Sequence, residues 1–337
     1  MKKLLLIAWS CLVLGLAPAR AQEASPHAIE IPSWFTQSFL ELNEDVADAA
    51  RAGKRGVMVY FGQDGCPYCA RLMKDNFGQA AIADKTRQHF TAIALNLWGD
   101  REVAWLDGRR LSEKSLAQAL KVQFTPTLIF LGTDGKQLLR LDGYQPPERF
   151  EAVLDFLIQD RAKTEALLDF LARREVSADA VRAARRPYLL ARPTQLQRQP
   201  QGKPLAVLFE TQPCKSCDEM HGVAFTRPGL RALLKRFDIA SLSATSRRPL
   251  TTPDGRQLPT AEWARSLQVH MNPTVVFFDN QGREVFRFDS YLRPFHIEAA
   301  FAYVAEGAYR TEPQFQRYVQ VHADKLRAAS QPVDLWR

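Results

Sequence analysis

Cysteine is scarce in this chain, with five residues in 337. Cys11 lies in an N-terminal apolar run, and the other four form two pairs, Cys66 with Cys69 and Cys214 with Cys217. No cysteine is left over for a separate structural disulfide. Long apolar runs are equally rare. Leu4 to Leu16 is shorter than the roughly 20 residues a membrane-crossing helix needs. With Lys2 and Lys3 before it and Ala19-Arg20-Ala21 after it, it reads as a secretory leader cleaved after Ala21. The residues before Cys11 do not form a lipoprotein signal, so a soluble, exported, periplasmic protein is expected; an uncleaved anchor is the other reading. The chain also lacks a basic tract interleaved with aromatics. Its formal charge of +8 falls to +5 once Lys2, Lys3 and Arg20 leave (8 − 3). So modest an excess reads as a solvated surface, and nucleic acid is not an expected partner. Neither C-x-x-C is followed by histidine, since Ala70 and Asp218 stand there, which excludes haem attachment.

What the chain does have is one stretch, present twice. Val57 to Met73 reads V-M-V-Y-F-G-Q-D-G-C-P-Y-C-A-R-L-M. An apolar run that suits a buried strand is followed by a short turn, then by two cysteines where a helical pattern begins. That spacing puts both sulfurs within disulfide reach on a first helical turn. There, unpaired N–H groups and the helix dipole favour a thiolate on the first cysteine. Pro67 suits a first-turn position, where its missing N–H would have no intrahelical partner. Leu205 to Met220 reads L-A-V-L-F-E-T-Q-P-C-K-S-C-D-E-M, with Phe61 and Phe209 each five residues before the first cysteine.

A length of 337 residues suits two domains of roughly 150 residues. The hydrophobic share of 46% is ordinary for globular proteins, so each half can bury a core. In the first half the pattern predicts a helix over 34–53, the strand 57–61, helix after Cys66 and over 82–90, and a strand over 90–97. An insertion over 98–111 follows, with a hairpin around Asp107-Gly108. A helix capped by Ser112, strands over 128–131 and 138–141 and a closing helix from Pro146 complete the order β-α-β-α-β-β-α. Pro126 stands at the entrance of a strand, sixty residues after Cys66. A proline there cannot donate a ladder bond, and a cis bond would account for it. The second half repeats the plan: Asp254-Gly255-Arg256 answers Asp107-Gly108-Arg109, Asn272-Pro273-Thr274 answers Thr125-Pro126-Thr127, and Tyr291 answers Tyr144. The offset is 148 residues at the cysteines and 147 from the Asp-Gly-Arg onward, so a whole domain is duplicated. The divisions expected are a leader over 1–21, a first domain over 22–160, a helical segment and linker over 161–203, a second domain over 204–308 and a helical extension over 309–337. Within the third, the Pro-, Gln- and Arg-rich stretch 192–203 reads as the linker. In the last, a helix pair with Phe315, Tyr318 and Val319 as its apolar face is expected.

A strand, a C-x-x-C at a helix start, and Thr-Pro or Asn-Pro before a later strand together resemble the thioredoxin fold, twice over. The fold class expected is therefore α/β, two thioredoxin-like domains in tandem. The insertion with its Asp-Gly-Arg, and Gly143-Tyr144-Gln145-Pro146-Pro147, are similar to SoxW-like exported thioredoxins, and C-P-Y-C itself resembles glutaredoxins. The resemblance implies that Cys66 and Cys214 are nucleophiles, that Cys69 and Cys217 resolve the mixed disulfides, and that Thr125, Pro126, Asn272 and Pro273 hold the substrate backbone as an added strand. Lys215 beside Cys214 adds a favourable charge at the second site alone, so two sites of unequal potential are expected. Members of the family carry an aspartate six residues before the first cysteine; Tyr60 and Leu208 occupy those places here. The implied activity is a reductase of protein disulfides, needing no cofactor and fed by a membrane thiol-electron transporter, because an oxidising compartment drives thiols to disulfides. Oxidase and isomerase are the enzyme alternatives. The bland readings are a structural disulfide at each pair, or one zinc held by all four cysteines. His221, one turn after Cys217, is a metal ligand on one reading and a packing residue on the other. A metal-handling or binding module with one inactive domain is the alternative function. Trp98 and Trp105 either frame a groove or pack; Arg109 and Arg110 read as a solvated turn, and His270 as a surface or packing residue.

Overall fold

The computed structural model describes residues 28–174, 186–211, 214–290, 292–330 and 333. The expected leader over 1–21 and Tyr291 lie outside the described residues. In chain order the first half forms α1 (Leu42–Arg51), β1 (Gly56–Gly62), α2 (Pro67–Arg71), α3 (Ala80–His89), β2 (Phe90–Asn96), the short strands β3 (Glu102–Ala104) and β4 (Arg110–Ser112), α4 (Glu113–Ala119), β5 (Thr127–Gly132), β6 (Gln137–Asp142), α5 (Pro147–Ile158) and α6 (Leu167–Ala172). A π-helical turn, Leu72–Asn76, continues α2. The second half forms β7 (Leu205–Phe209), α7 (Lys215–Gly222), α8 (Pro228–Leu234), β8 (Asp238–Leu242), β9 (Pro249–Thr251), β10 (Gln257–Pro259), α9 (Thr260–Ser266), β11 (Thr274–Phe278), β12 (Glu284–Phe288), α10 (Pro294–Ala305) and α11 (Phe315–Ala328).

Each half is built on one mixed four-stranded sheet, ordered β2-β1-β5-β6 and β12-β11-β7-β8. β1 and β7 are central and buried along their whole length, which is why their sequences are continuous apolar runs instead of alternating ones. β1 runs parallel to β2 and antiparallel to β5; β7 stands likewise to β8 and β11. The β-α-β-α-β-β-α order is therefore present twice. Both insertions form hairpins, β3 with β4 and β9 with β10. Ser112 caps α4, its Oγ accepting the Ser115 N–H at 3.3 Å.

Three expectations need correction. The helix expected from Trp34 begins only at Leu42. The apolar residues counted into one helical stripe serve opposite faces of the sheet: Phe35 packs with Tyr60, Phe77 and Phe150 on one side, while Leu40, Leu42 and Val46 pack with Val57 and Val59 on the other. A single straight helix cannot reach both. The chain crosses the sheet edge between them, with Leu40 left-handed at φ 64°. The helix pair expected after residue 309 is a 3-10 turn, Ala308–Arg310, followed by α11. The stretch 192–203, read as a linker, contains Leu196, which is 0% exposed. Gln195 bridges in parallel to Thr251, and the Leu196 N–H donates to the Thr251 carbonyl at 2.9 Å. The same bridge occurs in the first half between Glu41 and Ala104. One leucine among prolines and glutamines is too sparse a signal for a period to reveal.

Leu196→Ala should therefore destabilise the protein in urea titration by about 2–5 kcal/mol, the range for a truncated core leucine. A change below about 0.5 kcal/mol would make the stretch a linker after all.

Candidate active sites

The first pair sits where β1 delivers the chain to a helix. Gly65 turns it at φ 70°, a conformation glycine adopts at no steric cost. Cys66 is the cap residue of α2, and its sulfur accepts the Cys69 N–H at 3.1 Å. Pro67 occupies the first helical position, as its sequence position suggested. Cys66 and Cys69 lie at disulfide distance, with Cα atoms 5.2 Å apart. Opposite them is Thr125-Pro126, a cis peptide bond. The Cys66 sulfur is 3.3 Å from Thr125 Oγ1 and 3.4 Å from the Thr125 carbonyl oxygen. Cys66 and Thr125, 59 positions apart in sequence, thus meet, because Phe61 pairs with Thr127 in the sheet.

The second site repeats the frame. Cys214 caps α7, its sulfur accepting the Cys217 N–H at 3.1 Å, again with Cα atoms 5.2 Å apart. Asn272-Pro273 is cis. In each loop the threonine after the proline pins the carbonyl of the residue two before it: Thr127 Oγ1 to Phe124 at 2.9 Å, and Thr274 Oγ1 to Met271 at 2.7 Å. The structure thus gathers Cys66, Cys69, Thr125 and Pro126 at one site, and sets Cys214 and Cys217 on the second copy of the same frame as Asn272 and Pro273.

The halves differ around these frames. Glu210, directly after β7, accepts from His221 Nε2 and from Ser241 Oγ, both at 2.6 Å, and His221 Nδ1 lies 2.7 Å from the Tyr188 hydroxyl. Both His221 nitrogens are thus engaged by protein groups, which favours the packing reading over the metal-ligand one. No group of three or more His, Cys, Asp or Glu that could hold a metal ion occurs among the described residues. The first half has Gly62 and Met73 at the places of Glu210 and His221.

The first site is roofed by the second half. Its cleft, about 50 Å³, is lined by Cys66, Tyr68 and Thr125 and also by His296, Gln316 and Gln320. The Arg293 N–H donates to the Tyr68 hydroxyl at 2.8 Å, and His296 Nδ1 lies 3.4 Å from the same oxygen. Burial pushes the Tyr68 hydroxyl up and holds His296 down at about 4. Near the second cis-proline, Arg149 of the first half donates to Asn272 Oδ1 at 2.5 Å, and Asn272 Nδ2 donates to Thr211 Oγ1 at 2.6 Å. All four cysteines are buried: Cys66 is 4% exposed, Cys69 0%, Cys214 1% and Cys217 1%. Of the tryptophans, Trp105 packs in the core around Val103. Trp98 donates to Gln63 Oε1 at 2.5 Å and carries Arg317 over its ring. Arg109 pairs with Asp107 within its turn, as a solvated turn would. His270 is exposed. Sequence reasoning missed Glu210, Tyr188, Arg149 and His296. For the last two a faint signal existed: they occupy equivalent positions at the offset of 147, and His296 interrupts an apolar helix.

His296 yields a pH prediction. Its folded value of about 4 lies below the ordinary 6.5. Its contribution is thus whole above pH 6.5 and is lost as pH falls through the window to 4, where the unfolded chain takes up the proton first. Urea titrations of wild type and His296→Asn at pH 7 and pH 4 should differ, wild type losing about 3 kcal/mol more. Equal losses would show that His296 does not titrate in this way.

Comparison with known proteins fits these two frames. The model of the thioredoxin-like domain matches residues 42–158 and 196–305. Among solved structures, a thioredoxin-fold protein from Helicobacter pylori is 30% identical over 35% of this chain and 78% of its own, with a TM-score of 0.30. A thioredoxin from Thermus thermophilus is 25% identical over 36% of this chain and 85% of its own, at 0.27. The oxidised C-terminal domain of Neisseria meningitidis DsbD is 15% identical over 35% and 89%, at 0.26. No curated protein matches the chain. Because the two matched regions cover more than half of its length, the chain belongs to the thioredoxin-like domain family.

Proposed function

We propose that this protein is a thiol-disulfide oxidoreductase that reduces disulfides of protein partners through both C-x-x-C sites. One observation carries this reading: each pair lies at disulfide distance with its first sulfur accepting the N–H three residues on. When the pair is reduced, that N–H stabilises negative charge on the sulfur that must attack. The Cys66 thiolate attacks one sulfur of the partner disulfide, forming a mixed disulfide and releasing the other sulfur as thiolate. Cys69, deprotonated, then attacks Cys66, closing the Cys66–Cys69 disulfide and leaving the partner with two thiols. Cys214 and Cys217 do the same at the second site. Thr125 and Asn272, each before a cis-proline, offer backbone groups on which a partner strand pairs. Two electrons must return to each disulfide from another dithiol. In an exported protein a membrane thiol-electron transporter is the suited donor, and the leader-like Met1 to Ala21 supports export to the periplasm. Lys215 beside Cys214, and the Glu210–His221 pair found only in the second half, support sites of unequal potential.

Reduction potentials of Cys66→Ser/Cys69→Ser and of Cys214→Ser/Cys217→Ser, each leaving one working pair, test this. Values near or below roughly −200 mV are expected. Values near roughly −120 mV would make the protein an oxidant and overturn the reductase reading. A pair that failed to cycle would make its half a binding module.

A further inference from the structure

The two halves meet through the face that each would offer to a protein disulfide. The residues that cross the seam are equivalents at the offset of 147, so the seam has an approximate two-fold relation. Phe124, just before Thr125, sits in the core of the second half, 5.7 Å from Phe286 and 5.3 Å from Phe315 between ring centres. Its counterpart Met271, just before Asn272, sits in the core of the first half, the cluster that also contains Cys66 and Cys69. Gly143 and its counterpart Ser290 are in contact, so close that a Cβ on Gly143 would collide with the Ser290 hydroxyl. Arg149 reaches Asn272, and its counterpart His296 reaches Tyr68. To this symmetric seam α11 adds a lid on one side only. Its apolar residues Phe315, Tyr318 and Val319 anchor it in the second half. Gln316 Nε2 donates to the Gln123 carbonyl at 3.0 Å and Gln63 Nε2 donates to Gln316 Oε1 at 3.2 Å. The Phe315 N–H donates to Gln123 Oε1 at 2.9 Å.

We infer that the protein is self-inhibited as folded: each half masks the substrate face of the other, α11 and His296 roof Cys66, and protein disulfides gain access only when the halves part. This rests on the exchange reading above and concerns the regulation of the same sites. The cleft at Cys66 holds only about 50 Å³, far below the roughly 300–1,000 Å³ of an ordinary ligand pocket, and leaves no room for an added strand. Thr125 and Asn272, the residues on which such a strand would pair, are themselves buried. The fastening suits a reversible seam: two apolar wedges, one from each loop, and neutral hydrogen bonds between glutamines that water can replace once the halves separate. Opening is then a pre-equilibrium. The rate at which a large reagent reaches the sulfur is reduced by the open fraction, while the chemistry of the sulfur is unchanged.

The test uses the full chain with Cys11, Cys69, Cys214 and Cys217 changed to Ser, leaving Cys66 as the reporter thiol. Its alkylation by iodoacetamide and by a maleimide carrying a long polyethylene glycol chain is compared with that of an unstructured cysteine peptide. The ratio of large to small reagent rates should fall at least about tenfold below the peptide's. Adding Gln123→Ala and Gln316→Ala, which removes the three glutamine bonds, should recover at least about threefold of that deficit. A ratio equal to the peptide's in the otherwise unaltered chain overturns the inference, whether or not the glutamine variant folds; an unchanged ratio in a folded glutamine variant also counts against it. Reduction of insulin by the protein with both pairs intact, with and without the glutamine substitutions, separates the two readings. Masked but releasable alkylation with no insulin reduction in either form would sink the exchange reading and leave the closed seam standing.

Discussion

The antiparallel pairing of the strand before the cysteines with the strand after the proline is the constraint from which both sites follow. Phe61 lies opposite Thr127, and Phe209 opposite Thr274. Once those registers are set, the chain leaving β1 and the chain entering β5 must turn side by side. Cys66 and Thr125 are thereby brought within 3.4 Å although neither belongs to the sheet. A shift of one residue would turn every buried side chain of β1 to the opposite face. Because β1 and β7 are covered on both sides by apolar clusters, such a shift would have to rebuild two cores. Sheet register therefore positions the sulfurs more firmly than any contact they make themselves.

Duplication of this frame left two sites that share geometry and differ in surroundings. The cap bond from the first sulfur is 3.1 Å in both. Around it, Gly62 and Met73 in the first half face Glu210 and His221 in the second, and Arg149 answers His296. The second site gained a half-buried carboxylate-imidazole-hydroxyl network that ties the segment around Tyr188 to α7. The first gained a roof of second-half residues instead. These changes leave the sheet intact because they sit at strand ends and on helix faces.

Much of this was legible in the sequence because it is local or periodic. A buried central strand reads as an unbroken apolar run, a capped helix start as Ser112 before Glu113, and a tight hairpin as Asp-Gly. The internal repeat allowed each such sign to be checked against its copy. What escaped was non-local. The apolar residues of 34–46 looked like one helical stripe but belong to two faces of one sheet. Leu196 alone, among polar neighbours, closes the core beneath β9. α6 splits its leucines in the same manner, Leu167 and Leu171 to the first half and Leu168 to the second. Periodicity records that a residue is apolar at a given spacing and does not record which surface it meets.

The sequence by itself determined the chemistry: four cysteines in two pairs, each placed where a strand gives way to a helix, and a proline at the entrance of the strand that must lie opposite. Those features depend on residue type and on short spacing, which a linear chain carries in full. Tertiary structure alone decided whether the sulfurs are reachable. Phe124 and Met271 are unremarkable apolar residues in the sequence. Only the docking of one half on the other turns them into wedges, brings His296 and Gln316 over Cys66, and buries Thr125 and Asn272. That outcome follows from shape complementarity between two assembled surfaces, a property no segment possesses before the halves are folded.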